Sequence, residues 1–164
     1  MKKIIKGAVM DQSGKYRYSL WRIWNKNKPR ATFIMLNPST ADDKIDDPTI
    51  RRCIGFAKSW GCGSIQVVNL FAFRATNPKS LRTTINPVGP ENDKYIIDAL
   101  KESDFIIAAW GTKGSLFNRD KELIRILGNK YKLKCLAITK YGYPKHPLYA
   151  KSDIAPVNFK IYQG

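Results

Sequence analysis

The chain has 164 residues, 43% of them hydrophobic, which suffices to bury one core and falls short of two ordinary domains. Its 29 Lys and Arg against 13 Asp and Glu give a formal net charge of +16, so a polyanionic partner is expected, nucleic acid ahead of an anionic membrane because no basic amphipathic helix stands out. Apolar runs such as Phe105 to Trp110 are too brief to span a bilayer and the MKKIIKG start lacks the long apolar stretch of an export signal, which predicts a soluble cytoplasmic protein with no membrane partner.

In chain order, the strand-like runs Ile4 to Met10 and Tyr16 to Trp24 flank DQSGK, where Gly14 can take positive φ, and predict an antiparallel hairpin. Short apolar runs then alternate with helical stretches. ATFIML (31–36) precedes a helix from Pro48 to Trp60, SIQVVNLF (64–71) a helix from Glu91 to Glu102, DFIIAAW (104–110) a helix from Asn118 to Asn129, and LKCLAI (133–138) ends the series. Continuous apolar strands separated by helices predict parallel strands covered on both faces and joined by right-handed crossovers. The expected fold is therefore a three-layer α/β/α sandwich in one domain over residues 1–164, with a mainly parallel four-stranded sheet plus the N-terminal hairpin. Asp47-Pro48-Thr49 and Pro90-Glu91-Asn92-Asp93 both read as helix starts.

Ligands in such sheets bind outside the carboxyl ends of the strands. The residues there are chemically distinctive: Asn37-Pro38-Ser39-Thr40, then Asn69 with Arg74 and Thr76, then Trp110-Gly111-Thr112, and finally Thr139 onward to His146-Pro147-Leu148-Tyr149. This convergence turns a basic α/β domain into a candidate enzyme. The charge adds a puzzle, because Asp42, Asp43, Asp46 and Asp47 make an acidic island in a basic chain. The three cysteines, Cys53, Cys62 and Cys135, are odd in number and lack CxxC spacing, so they read as reduced core thiols and support neither a disulfide framework nor a metal site.

The motifs L-N-P-S (36–39), V-V-N-L (67–70), A-W-G (109–111) and H-P-L-Y (146–149) resemble, in order and placement, those of the uracil-DNA glycosylase superfamily. The longer run LNPSTAD, DDPTIRRC, VVNLFAFRAT, PVGPEND, AWG and HPLY, covering Phe33 to Tyr149, resembles the family known as domain of unknown function 1643. The superfamily resemblance implies a uracil-DNA-glycosylase-like fold and a monofunctional DNA glycosylase, with DNA as partner, no cofactor, no metal and a monomeric state. Breaking an N-glycosidic bond builds positive charge on the sugar and negative charge on the departing base, so the site needs a donor to the base, an oriented water and a nearby anion. Base flipping supplies access.

By resemblance, Asn37 orients the attacking water, Asn69 reads the flipped base and His146, the sole histidine, donates to the leaving base. Asparagine is no base, so Asp42 or Asp47 is a candidate to face the sugar cation; Asp47 reads equally as a plain helix start. Pro38, Ser39, Arg74, Thr76, Trp110 and Gly111 are candidate substrate-binding residues, although Trp110 also reads as core beside Gly111. Lys113, Lys140 and Lys145 are candidate phosphate contacts. Leu148 or Tyr149 is a candidate wedge for the vacated stack or, alternatively, an anchor of the C-terminal tail. Asn92 and Asp93 read either as supports for the site or as a helix cap, Phe71 and Phe73 as core. Cys62 in Gly61-Cys62-Gly63 lies at the wrong end of its strand for a nucleophile. The loop after the first parallel strand lacks the aromatic that keeps larger pyrimidines out of the uracil enzymes. The resemblance therefore implies a modified base such as the glucosylated hydroxymethylcytosine of phage DNA, and a defence role. An N-glycosidase or transferase acting on free nucleotides, and a non-catalytic DNA-binding protein, are the alternatives.

Overall fold

The computed structural model of the protein describes residues 3–160. Met1 and Lys2, on which part of the export-signal expectation rests, lie outside them. The N-terminal hairpin forms as expected from β1 (Ile5–Met10) and β2 (Arg17–Ile23). Gly14 sits in its turn at φ 73°. The Asp11 carboxylate closes that turn, accepting from Tyr16 N at 3.0 Å and the Ser13 hydroxyl at 2.6 Å, as short acidic side chains do in tight turns.

The βα units follow in the predicted order: β3 (Arg30–Met35), α1 (Pro48–Ser59), β4 (Ser64–Asn69), α2 (Asn92–Lys101), β5 (Phe105–Ala108), α3 (Arg119–Leu127) and β6 (Lys134–Cys135), then a two-residue β7 (Val157–Asn158). Asp47 caps α1, its carboxylate accepting from Ile50 N, with Pro48 at the first helical position. In β3, Phe33 and Met35 face α1 while Ile34 points to the layer of α2 and α3; in β4, Ile65 and Val67 take the first side and Val68 the second. Alternation along a strand, with apolar residues on both sides, is what builds two cores from one sheet.

The expected four-stranded sheet with a separate hairpin is too small. The sheet has seven strands in the order β1-β2-β4-β3-β5-β6-β7. Its inner four, β4-β3-β5-β6, run parallel. The hairpin is continuous with them through antiparallel pairing of β2 on β4, and β7 pairs antiparallel with β6 at the other edge. Both additions satisfy backbone groups that an open edge would leave unpaired. LKCLAI contributes only Lys134 and Cys135 to the ladder. Beyond them the chain folds back on itself, Thr139 N donating to Tyr143 O and Lys145 N to Ala137 O. No helix among the described residues is long and apolar enough to cross a membrane.

Candidate functional site

The loops at the carboxyl ends of β3, β4, β5 and β6 enclose one cavity of about 660 Å³. Its walls bring together Asn37, Pro38 and Ser39 after β3, Asn69 at the end of β4 with Thr76 beyond it, Trp110, Gly111 and Lys113 after β5, and Lys145, His146, Leu148 and Tyr149 after β6. Asp47 and Thr49 join from the start of α1, and Arg17 from β2.

Asn37, Asn69 and His146 are each held in one chemical sense. The Asn37 amide nitrogen donates to the carbonyls of Ala75 (2.8 Å) and Pro38 (3.0 Å), which leaves Oδ1 as the acceptor for a ligand or water. The Asn69 oxygen receives the Arg17 guanidinium at 3.4 Å, and its Nδ2 is buried with no partner among the described residues. The His146 ring accepts the Leu148 backbone N–H at Nδ1, 3.2 Å away. An imidazole that accepts at Nδ1 carries its proton at Nε2 when neutral. Burial lowers the His146 pKa and the neighbouring Asp47 carboxylate opposes that shift. The cavity walls thus carry an acceptor at Asn37, a buried amide NH₂ at Asn69 without a partner among the described residues, and a neutral imidazole.

The acidic island divides. Asp46 pairs with the fully buried Arg22 at 2.6 Å and with Lys6 at 3.4 Å. Asp42 turns away from the cavity and caps its own loop, accepting from Lys44 N and Ile45 N at 2.9 and 2.8 Å; these bonds hold its carboxyl below the ordinary range. Of the two aspartates considered for the sugar, only Asp47 lines the cavity. Its oxygens accept from Ile50 N at 2.9 Å and Ala41 N at 3.3 Å, so it is a helix cap and a cavity anion together.

Arg74 and Lys140 are not among the cavity walls. Arg74 braces the hairpin turn, donating to Gly14 O at 3.3 Å, and Lys140 lies over the Tyr141 ring. Lys113 is exposed and Lys145 half-buried at the cavity rim, and Leu148 and Tyr149 project outward, 44% and 74% exposed. Trp110 is core as well as wall, 1% exposed, with Phe159 edge-on to it. Its close neighbour is Gly114, where a Cβ would stand 2.0 Å from the indole; Gly111 instead makes the turn at φ 75° against the His146 loop. Asn92 and Asp93 hold the end of β4: the buried Asn92 amide donates to Asn69 O and Leu70 O, and Asp93 pairs with the buried Arg119, which also holds Leu70 O. The three cysteines are buried and free, and desolvation raises their thiol pKa values, that of Cys135 to about 11.

Two arginines escaped the sequence reading. Arg52, on α1, donates to Pro147 O at 3.1 Å and also bonds Ala150 O, stapling the His146 loop. Arg17 is one of the 29 basic residues of the chain, yet it is 2% exposed, donates to Ala41 O at 3.1 Å and contacts the Asn69 oxygen at 3.4 Å. A register irregularity in the hairpin explains this: Val9 pairs with Ser19 but Met10 with Arg17, skipping Tyr18. Such a bulge re-aims side chains. Tyr18 stacks on Tyr95 of α2 while Leu20 joins the α1-side core and Arg17 comes round to the cavity. Desolvation lowers the Arg17 pKa to about 10, against the pull of Asp47, so it stays charged at neutral pH.

A family model described as a protein of unknown function (DUF1643) matches residues 17–148. The chain belongs to this family. No curated protein and no solved structure matches it. The DUF1643 match opens on Arg17 and closes on Leu148, so it takes in the cavity walls from β2 to the His146 loop and leaves only Tyr149 outside. Among the described residues, no group of three or more His, Cys, Asp or Glu side chains is placed to hold a metal ion.

Proposed function

We propose that this DUF1643 protein is a monofunctional DNA glycosylase on a uracil-DNA-glycosylase-like scaffold, releasing a flipped, modified base to leave an abasic site. The observation that carries the reading is the shared cavity at the strand ends, where Asn37, Asn69 and His146 each have one hydrogen-bonding sense free.

In this mechanism the amide of Asn69 donates to the pairing edge of the everted base, and Nε2–H of His146 donates to a base oxygen. As the glycosidic bond breaks, its electron pair moves onto the base, where these donors stabilise the charge. Asn37 Oδ1 accepts from the water whose oxygen adds to the anomeric carbon, and the Asp47 carboxylate offsets positive charge on the sugar. The hydroxyl of that water ends on the sugar and its remaining proton on the base. Asparagine takes up no proton, so bond breaking leads and water follows. A cavity of about 660 Å³ lies in the range that encloses a large ligand, ~300–1,000 Å³, and leaves room for a substituent beyond one pyrimidine ring. That room supports glucosylated hydroxymethylcytosine of phage DNA as substrate, and with it a role in defence. Lys113 and Lys145 at the rim supply phosphate contacts, and Tyr149 or Leu148 fills the vacated stack.

The test is mass spectrometry of bases released from glucosylated phage DNA and from unmodified DNA. The modified base is expected, with loss of about 10²–10³ in rate on His146→Ala, the scale of removing one transition-state donor, and a comparable loss on Asn37→Ala. Absence of free base and of alkali-sensitive strand breaks on every modified DNA tried would reject the assignment.

A further inference from the structure

Arg17 and Asn69 lie side by side at the back of the cavity, 2% and 1% exposed, and the chemistry between them runs one way. A guanidinium has donors and no acceptor, so the amide beside it must turn its oxygen toward Arg17, as the 3.4 Å contact to Oδ1 shows. The backbone of Asn69 is fixed in place beside Arg17, so the guanidinium alone sets the sense of the amide. The Asn69 backbone carbonyl receives the Asn92 amide at 2.8 Å and its strand is paired on both sides. Arg17 is held in turn by Ala41 O at 3.1 Å. What remains is a buried NH₂ with no partner among the described residues, on a residue that lines the cavity.

We infer that Arg17 is the specificity-determining residue of this site: by occupying Oδ1 of Asn69 it makes the amide a donor toward the base and selects a cytosine-type edge over a uracil-type one. Neutral cytosine offers acceptors at both N3 and O2, whereas uracil carries a proton at N3, which meets an N–H donor head-on. An asparagine free to present both its oxygen and its nitrogen serves a uracil edge; one whose oxygen is engaged from behind serves an acceptor edge. The inference rests on reading the cavity as a pocket for a flipped pyrimidine, and it names the feature of the ring that is read. Arg17 touches Asn69 and not the reacting atoms, so it acts as a positioning residue.

Binding, measured apart from cleavage, tests it. The isotope-labelled full chain is titrated with hydroxymethyl-dCMP and hydroxymethyl-dUMP, which differ only at the pairing edge, while the Asn69 side-chain NH₂ resonances and the dissociation constants are followed. The cytidine nucleotide is expected to bind about tenfold more tightly, the scale of one mispaired polar contact, and to move the Asn69 NH₂ signals. In Asn69→Asp one carboxylate oxygen still meets Arg17 and the other presents an acceptor, so the preference swings to the uridine nucleotide. In Arg17→Met the amide is free to turn and the preference falls toward unity, with thermal unfolding monitored alongside. Equal binding of the two nucleotides by the unaltered protein, no response at Asn69 up to saturating concentrations, or an Asn69→Asp protein that still prefers the cytidine form would overturn the inference. Base release from DNA is scored separately: a cytidine preference without release sinks the hydrolytic reading and leaves the Arg17 inference standing, and release without the preference does the reverse.

Discussion

His146 is useful because its neighbours fix its tautomer. The backbone N–H of Leu148 occupies Nδ1, so the neutral ring must carry its proton at Nε2, and protonation would put a hydrogen where that bond is made. Burial holds the pKa below 6.5 in spite of Asp47, so the folded protein takes up this proton less readily than the unfolded chain does. The stability contribution is then complete above pH 6.5 and is lost as the pH falls through the folded value. Thermal unfolding between about pH 8 and pH 5 should show the unaltered protein losing more stability on the acid side than His146→Asn. Equal losses would mean that the ring is not held neutral. The rate of base release should share the same acid limb, because protonation at Nδ1 breaks the Leu148 N–H bond that holds the ring in place.

Elements as well as residues determine where that imidazole stands. The segment from Lys145 to Tyr149 contributes a single 3₁₀ turn, Pro147–Tyr149, and its anchorage comes from α1, where Arg52 bonds the carbonyls of Pro147 and Ala150. Replacing Arg52 by alanine deprives the carbonyls of two buried residues of a charged donor, an expected cost of ~1–3 kcal/mol in unfolding free energy. Small displacements of a reacting group are amplified in rate, and 10²-fold is the scale for about 1 Å. Arg52→Ala should therefore slow base release more than its loss of stability explains, and Arg52→Lys should recover part of the loss. Full activity in a destabilised Arg52→Ala protein would show that α1 does not position the loop. In the turn that follows β5, Gly114 plays the complementary part, leaving space for the Trp110 indole.

Across the whole molecule, part of the charge of both signs is consumed inside the fold. Arg17, Arg22 and Arg119 are buried at 2%, 0% and 1% exposure and serve carbonyls and carboxylates inside the protein. Three of the four island aspartates are tied to the protein's own groups, Asp42 and Asp47 as caps and Asp46 with Arg22. Lys113 and Lys145 stand at the cavity rim. Duplex binding measured by fluorescence anisotropy should therefore lose about 0.9 of salt slope for each rim contact removed, so that Lys113→Gln with Lys145→Gln flattens the dependence by roughly 2. Lys140→Gln, away from the cavity, should leave it nearly unchanged. A slope unaffected by the double substitution would place the DNA on another face.

Local features were legible in the chain: the hairpin turn at Gly14, the helix start at Asp47 and Pro48, the apolar runs that fill both faces of β3 and β4, and the polar residues just beyond each strand. Propensity, capping and periodicity act over a few residues, so they can be read from a few residues. Tertiary structure alone decided the hairpin's docking on β4, the β7 edge and the shortness of β6, because ladder pairing is settled between segments far apart in the chain. It also decided which charged residues face the cavity. Arg17 and Arg22 are both basic residues of one strand, yet the irregularity at Tyr18 sends the first behind Asn69 while the second meets Asp46. Asp42 and Asp47, equivalent as acids in the sequence, part company because only one of them begins a helix beside the cavity. Burial and partner choice depend on packing across the whole fold, and no local pattern encodes them.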